Sequence, residues 1–591
     1  MTIARASQTV GDGGLGIAGA LRRPVAVVGC SSAGTVNTAI EISTPEDVIT
    51  EFGYGPLAEM LALMLALAGG PVVGVRTTAT TAAIRGSYAQ GGAGSAAAGT
   101  IAAAGGNTST AVAALTGTPD RPYSVKVVVT TAGSNLAATP VVKVSLDGGV
   151  TYLAPGAVLA SATPQAIGST GLSLAFTDGT FVANDSFSAT GANCPTNADA
   201  TGTTVLTLSG TPLDEFDFRI EITRAGASLA AATAAFIVSV DGGNSYSAEV
   251  AVPVAGSYTI PNTGVTVAFS DATFVAGDVY RFKTSAPTWF DVAAGSTTNL
   301  TAALAALVTS GRDYEFVHVV GAADFSAATA VNTWLTARAA AGSYKFAVCE
   351  ARDQITGESV STWLTAVSGM TPGFSAFVST QMDITAGAAE IQSALRSGVY
   401  WRRNVGRLLS PRLAAIPIRE SPGRVKSGAV AGLMPDGDVS SVHHDATVYE
   451  GLDLARFGAL QTIVGRPRGE YFFTSRTMAG PTSDFSEVQR IRVMNAAAQA
   501  GIAAISEYCG EDVDVKTDGS GRIAEVEAKA VDAEVLAKIK QAVMSPANLH
   551  VSGVTVRTTR TNNILSTREL LVAISVVAVS FNKKESTTTR S

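Results

Sequence analysis

His443, His444, Asp445 and Glu450 stand within eight positions and are of the types that ligate a metal or move protons. Adjacent side chains converge on one ion only where the backbone turns sharply, and neither an HExxH pattern nor a second histidine cluster accompanies them. They read as a polar loop ordered by hydrogen bonds, and His318 and His550, far away in sequence, read as structural. Gly29-Cys-Ser-Ser-Ala-Gly34 follows a strand-like run and has the shape of an anion-cradling turn. However, the chain has no GxxxxGK[ST], and Val425 precedes Lys426-Ser427 where a phosphate loop needs glycine. No G-x-S-x-G elbow anchors a serine hydrolase. Asp147 and Asp241, with Asp185 and Asp278, are calcium-ligand types, but Asp-Gly-Gly is first a hairpin turn. The expectation is a chain with no catalytic residue, no metal and no cofactor.

Positive charge concentrates in Trp401-Arg402-Arg403-Asn404-Val405-Gly406-Arg407, with Arg412, Arg419, Arg424 and Lys426 following. Aromatic interleaving is poor and the net charge is −7, so direct nucleic-acid binding is not expected. Arg402, Arg403, Arg407 and Arg412 read instead as a basic interface for an acidic protein partner.

The elements that position these groups belong to a long, charge-poor chain: 591 residues, 15% charged against about 25% in an average soluble domain. Several domains fit in that length, and so low a charge predicts surface hidden against other subunits. The four cysteines stand singly with no CxxC spacing, and the longest apolar run, Met60 to Ala68, falls well short of the roughly 20 residues of a membrane helix. With no apolar signal-peptide core near Met1, neither general secretion nor membrane insertion is expected.

Residues 1–22 are polar and glycine-rich and read as an arm. Pro24 to Gly29 reads as a buried strand, Ser43-Thr-Pro-Glu-Asp as a helix start, Leu57 to Leu67 as an apolar helix and Pro71 to Arg76 as a strand. The Gly/Ala-rich residues 86–107 read as a linker. After residue 288 the pattern resumes with strands at Phe316, Tyr344 to Cys349 and Gly373 to Val378, and a helix at Ala323 to Ala341. This predicts a parallel sheet shared with the first segment. Two helices follow, one capped by Asp484-Phe-Ser-Glu487 and running to Tyr508, the other from Asp532 to Met544, with a hairpin turning at Asp518-Gly519 between them. Leu570 to Phe581 is a β-branched strand that needs a sheet to join.

Between the two α/β segments the chain repeats itself. Leu115-Thr-Gly-Thr-Pro119 recurs as Leu208-Ser-Gly-Thr-Pro212, and Phe176-Thr-Asp-Gly-Thr-Phe-Val-Ala-Asn-Asp185 as Phe269-Ser-Asp-Ala-Thr-Phe-Val-Ala-Gly-Asp278, both 93 residues on. Alternating apolar and polar residues and Asp-Gly-Gly turns predict an antiparallel Ig-like β-sandwich in each copy.

The order of Arg23-Pro-Val-Ala-Val-Val-Gly, Ile42-Ser-Thr-Pro-Glu-Asp, Phe52-Gly-Tyr-Gly and Gly69-Gly-Pro-Val-Val-Gly-Val-Arg76 resembles the N-terminal part of contractile tail sheath proteins of myophages and related injection systems. His444-Asp, Gly451-Leu-Asp-Leu-Ala-Arg-Phe, Gly469-Glu-Tyr-Phe, Asp484-Phe and Arg490-Ile-Arg-Val-Met resemble its C-terminal part. The resemblance implies an α+β multidomain subunit: an α/β sheath core carrying two inserted tandem sandwiches, with extended N- and C-terminal arms. Such subunits stack as hexameric rings around a tail tube, associate with baseplate and tail terminator proteins, and contract to drive the tube through an envelope. The resemblance places them in the virion tail, assembled in the host cytoplasm. It implies strand exchange between subunits through Leu571, Val572, Ala573, Ile574, Ser575, Val576, Val577, Ala578 and Val579, and tube contact through Asp484, Glu487, Arg490 and Arg492. The expected boundaries are 1–22, 23–85, 86–107, 108–200, 201–287, 288–380, 381–550 (facing the tube) and 551–591. The competing reading is an adhesin or baseplate binding protein that uses the sandwiches for recognition.

Overall fold

The computed structural model describes residues 24–79, 84–85, 100–117, 123–145, 157–159, 161–167, 172–192, 202–204, 206–289, 297–351, 379, 381–385, 387–433, 457–461, 470–474, 477–479, 483–508, 512–545 and 549–578. The chain is α+β. Its largest sheet has eight strands in the order Ala39–Ile42, Val72–Arg76, Val25–Gly29, Phe316–Ala323, Phe346–Ala351, Met382–Thr385, Phe457–Gln461 and Tyr471–Thr474. The inner six run parallel and each edge strand is antiparallel. Near-continuous Val/Ala runs suit strands covered on both faces, and alternation divides them. Ala26 and Val28 pack with the helices Thr298–Thr309 and Phe325–Ala340. Val25 and Val27 pack with Pro45–Phe52, Pro56–Ala68 and Gly406–Ala415. Gly74 lets Phe52 and Leu61 close on the sheet, since a Cβ there would lie 2.7 Å from the Phe52 ring.

The place beside Phe346–Ala351 is taken by Met382–Thr385; the expected strand at Gly373 to Val378 lies outside the described residues. Thr44 caps the first helix, accepting from the Asp47 amide.

The insertion holds two units of one design, each with a three-stranded and a five-stranded antiparallel sheet closed over its own apolar core. The duplication extends to single hydrogen bonds. Asp178 Oδ1 accepts from the Leu136 amide at 2.9 Å, and its counterpart Asp271 accepts from Leu229 at 2.8 Å. Asp185 Oδ2 accepts from the Ser109 amide at 2.6 Å, and Asp278 Oδ2 from Gly202 at 2.9 Å. Gly117 and Gly210 both sit at φ 105°. Thr100–Ala103, placed in a linker by its composition, is instead an edge strand of the first unit, paired with Ser186–Ala192. The corresponding edge of the second unit is filled by Ile84–Arg85, which precedes the first unit and pairs with Val279–Thr284.

A third layer follows. Helices Val488–Ser506 and Glu525–Val543 pack on an antiparallel pair, Val551–Thr558 with Val572–Ala578, around Val493, Val535, Ile539 and Val551. The first helix starts at Val488, not at an Asp484 cap, and Glu487 stands before it without a side-chain capping bond. Glu487 is turned inside, where it accepts from Gln489 Nε2. The second helix begins seven residues before the expected Asp532, because Ala528 and Val531 extend its buried stripe. Lys516 and Arg522 pair across a turn containing Asp518-Gly519, with Gly519 at φ 75°.

Candidate functional site

Two places concentrate the polar and apolar groups that a function would use. The first is a buried charge network between the α/β layer and the second inserted unit. Strand Tyr400–Asn404 alternates, so Arg402 faces outward and Arg403 inward, and Arg407 follows on the buried face of Gly406–Ala415. Glu59, the one charged residue of an otherwise apolar helix, accepts from Arg403 Nε at 3.1 Å and from Arg407 Nη1 at 2.9 Å. Arg403 Nη2 reaches the Glu215 carbonyl at 2.9 Å and Asp214 at 3.5 Å, both in the second inserted unit. Arg407 Nε meets Glu350 at 3.0 Å. Glu350 also lies 3.0 Å from His318 Nε2, and His318 Nδ1 lies 2.6 Å from Ser410 Oγ. A cavity of about one water molecule, lined by Glu59, Leu63, Ile391 and both arginines, adjoins Glu59.

Burial pushes Glu59 up to about 7 even though Arg403 pulls it down. Asp214 is raised for the same reason. Burial acts upward on Glu350 too, but there Arg407, with His318, prevails and brings it down to about 2. Burial opposes the charge of Arg403, yet Glu59 and Asp214 hold its guanidinium above its usual range. Ser410, His318 and Glu350 have the residue types of a hydrolytic triad. Ser410 and His318 are both 0% exposed, so a substrate carbonyl cannot reach them.

This corrects the reading of the arginines as one basic interface. Arg403 and Arg407 are consumed inside the chain, because buried guanidinium groups must be paired. Arg412 is half-buried and binds the Ser427 and Gly428 carbonyls at 2.9 and 2.8 Å, tying down the following loop. Trp401 joins the apolar core of the second unit, edge-on to Phe216 and 4.7 Å below the Arg403 guanidinium. The network was missed in sequence; the signal available was Glu59, a lone charge in an apolar helix.

The second place is the terminal strand pair. Val572, Ile574 and Val576 cover the two long helices, while Leu571 and Val577 remain 47% and 59% exposed. Ser575 pairs with Thr555, Ala573 with Arg557 and Ala578 with Val551. Among the described residues no third strand lies on either side of this pair. Val579 lies outside the described residues. Of the residues expected at a tube, Asp484 is exposed and Arg490 half-buried, with Arg490 Nη1 donating to the Asp484 carbonyl at 3.4 Å. Arg492 is 3% exposed and forks onto Glu315 at 2.6 and 3.1 Å, so with Glu487 it faces the interior.

His443, His444, Asp445, Glu450 and Asp147 lie outside the described residues. Asp241, Asp185 and Asp278 spend their carboxylates on backbone and hydroxyl donors of their own units, and Asp241 also accepts from the Tyr400 amide at 3.3 Å. Burial pushes the Cys30 thiol up to about 12 and raises that of Cys349 as well, so both are inert at neutral pH. No described helix is long and apolar enough to cross a membrane.

Among solved structures, the chain is similar to a sheath tail protein from Listeria innocua, at 11% identity and a TM-score of 0.39, over 94% of this chain and 95% of that one. It is similar to a sheath tail protein from Desulfitobacterium hafniense at 11% identity and a TM-score of 0.37, over 98% and 100%. A third likeness is to the contracted helical sheath of the anti-feeding prophage, at 13% identity and a TM-score of 0.36, over 52% and 78%. No curated protein matches the chain. The family model described as DUF2586, N-terminal domain, matches residues 7–476, well over half of the sequence, and the chain belongs to that family.

Proposed function

We propose that this chain is the structural subunit of a contractile tail sheath. The observation that carries the reading is the terminal pair Val551–Thr558 and Val572–Ala578. Its inner face is fixed on two helices while its outer edges have no strand among the described residues. Unpaired sheet edges are templates for a strand from another chain. Leu571 to Val579 were expected to pair with a neighbour, but Val572–Ala578 pairs with Val551–Thr558 of its own chain. This reading therefore assigns residues 1–22 and the segment after Ala578 to neighbours, with rings of six that stack around a tail tube and stay tied while they slide. The tandem units are read as Ig-like sandwiches on the outer wall, and Asp484 and Arg490 as the accessible residues nearest the tube. Baseplate and terminator proteins complete the partners, the virion tail is the place of action, and the role is mechanical, not catalytic.

The test is negative-stain microscopy of the purified full chain and of a chain ending at Ala578, which keeps the pair intact. Tubes from the full chain and folded monomers from the truncated one are expected. Tubes from both, or monomers from the full chain with and without its tube protein, would refute the reading. Loss of surface binding on removal of both inserted units, with no polymer from the full chain, would favour an adhesin.

A further inference from the structure

Where the third layer meets the α/β sheet, His550 lies within electrostatic reach of Arg419, Arg492 and the Glu315 carboxylate. Arg492, 3% exposed, uses Nε and Nη2 on Glu315, and its buried Nη1 has no hydrogen-bond partner. His550 Nδ1 is buried and likewise unpartnered, although its backbone amide is held by the Val543 carbonyl. Arg419 Nη1 donates to the carbonyl of Leu549, the residue before His550. Ile418, Val493 and Val551, the chain neighbours of the three, pack in one apolar cluster, which brings the three polar groups to the same seam. One turn further along the Arg492 helix, Asn495 Nδ2 also lacks a partner. Among the described residues Glu315 is the carboxylate that acts on His550, against two guanidinium groups, and Arg419 and Leu549 are exposed at the mouth.

A buried guanidinium nitrogen left without an acceptor keeps its desolvation cost uncompensated, and an oxyanion offsets it with charge-assisted bonds. We propose that this seam is an oxyanion-binding site, in which Arg492 Nη1, His550 and Arg419 take the oxygens of a phosphate or of a carboxylate from a neighbouring copy. The binding residues all belong to one chain, so phosphate binding at the site is independent of the sheath reading. Burial and then the two arginines depress His550. A bound anion reverses the arginine contribution and favours the protonated imidazole, which can then donate from Nδ1.

The experiment follows the His550 ring resonance of the full chain through a pH titration, in inorganic phosphate and in chloride at equal ionic strength. A His550→Gln chain assigns the signal. Phosphate is expected to move the midpoint up by about half a pH unit or more, a change typical of one added neighbouring charge. Arg419→Gln, an exposed change that leaves the Arg492 and Glu315 pair in place, is expected to abolish the movement. A midpoint that rises with protein concentration in chloride alone identifies the neighbour's carboxylate as the source. The same midpoint in both salts at every protein concentration, or a movement that survives Arg419→Gln, overturns the proposal and leaves a water-filled seam.

Discussion

Replacing Arg403 with methionine keeps the packing of the side-chain stem and removes the charge and hydrogen bonds that join the second inserted unit to the sheet. Glu59 then keeps Arg407 at 2.9 Å, and Asp214 keeps the Glu215 amide at 2.7 Å, but neither retains its shared counter-ion. Breaking a buried pair from one side costs about 3–5 kcal/mol when the surviving group stays charged. Glu59 need not stay charged. It already stands at about 7, and Arg403 is the strongest influence holding it down, so the variant carries it higher. A carboxyl raised above its unfolded value contributes stability that is complete below the unfolded value and is lost as pH rises through the folded one. At pH 5 Glu59 is therefore protonated and the deficit shrinks to roughly that of lost hydrogen bonds, about 1–2 kcal/mol, while at pH 8 it approaches the full amount. Hydrogen exchange read segment by segment is the suitable assay, because a chain of several units need not unfold in one step. Protection is expected to fall together in Tyr400–Asn404 and in Asp217–Arg224, more at pH 8 than at pH 5. Equal losses at both pH values, or losses confined to Tyr400–Asn404, would refute the joint.

Glu350 gives the opposite slope. Held down to about 2 against an ordinary 4.5, it contributes stability that is present above the unfolded value and lost as pH falls toward 2, on the order of 3 kcal/mol. A Glu350→Gln chain should be less stable at pH 7 and less sensitive to acid between pH 5 and 3, as read by urea unfolding. Asp178→Ala and Asp271→Ala each strip the acceptor from one backbone amide, at Leu136 and Leu229. Each should lower protection in its own unit by about 1 kcal/mol, and the two effects should match; a large difference would mean that the copies no longer use the bond in the same way.

The sequence made some of this legible because the causes are local. Val25–Gly29, Val72–Arg76 and Phe316–Ala323 are apolar runs between turn residues, and burial on both faces is what such runs require. The duplication is a matter of matching letters. The charge network is not local: Arg403 finds Glu59 across 344 positions, and nothing near either residue names the other. The arginines therefore read as surface, although the alternation of Tyr400–Asn404 already turns Arg402 and Arg403 to opposite sides. Thr100–Ala103 was hidden by the Gly/Ala-rich composition around it, although Thr100 and Ile101 suit a strand, and an edge strand is held by backbone bonds that any side chain allows. The start of the second long helix was missed because alanines such as Ala528 bury well but carry little periodic signal.

The pairing of Ile84–Arg85 with Val279–Thr284 fixes an order of events during synthesis. The first inserted unit has every strand of its own by Ala192 and closes before the second is complete. The second closes only when Thr284 emerges to meet Ile84, and the parallel sheet later still, when Phe316–Ala323 reaches Val25–Gly29. Folding thus proceeds from the inside outward, like nested brackets. Because Arg85 and Lys283 come to face each other across the strand pair, each closure shortens the free chain that the next must span, and the loop-closing entropy of the outer sheet falls accordingly. The insertion is a splint: once set, it holds the two halves of the sheet within reach of each other.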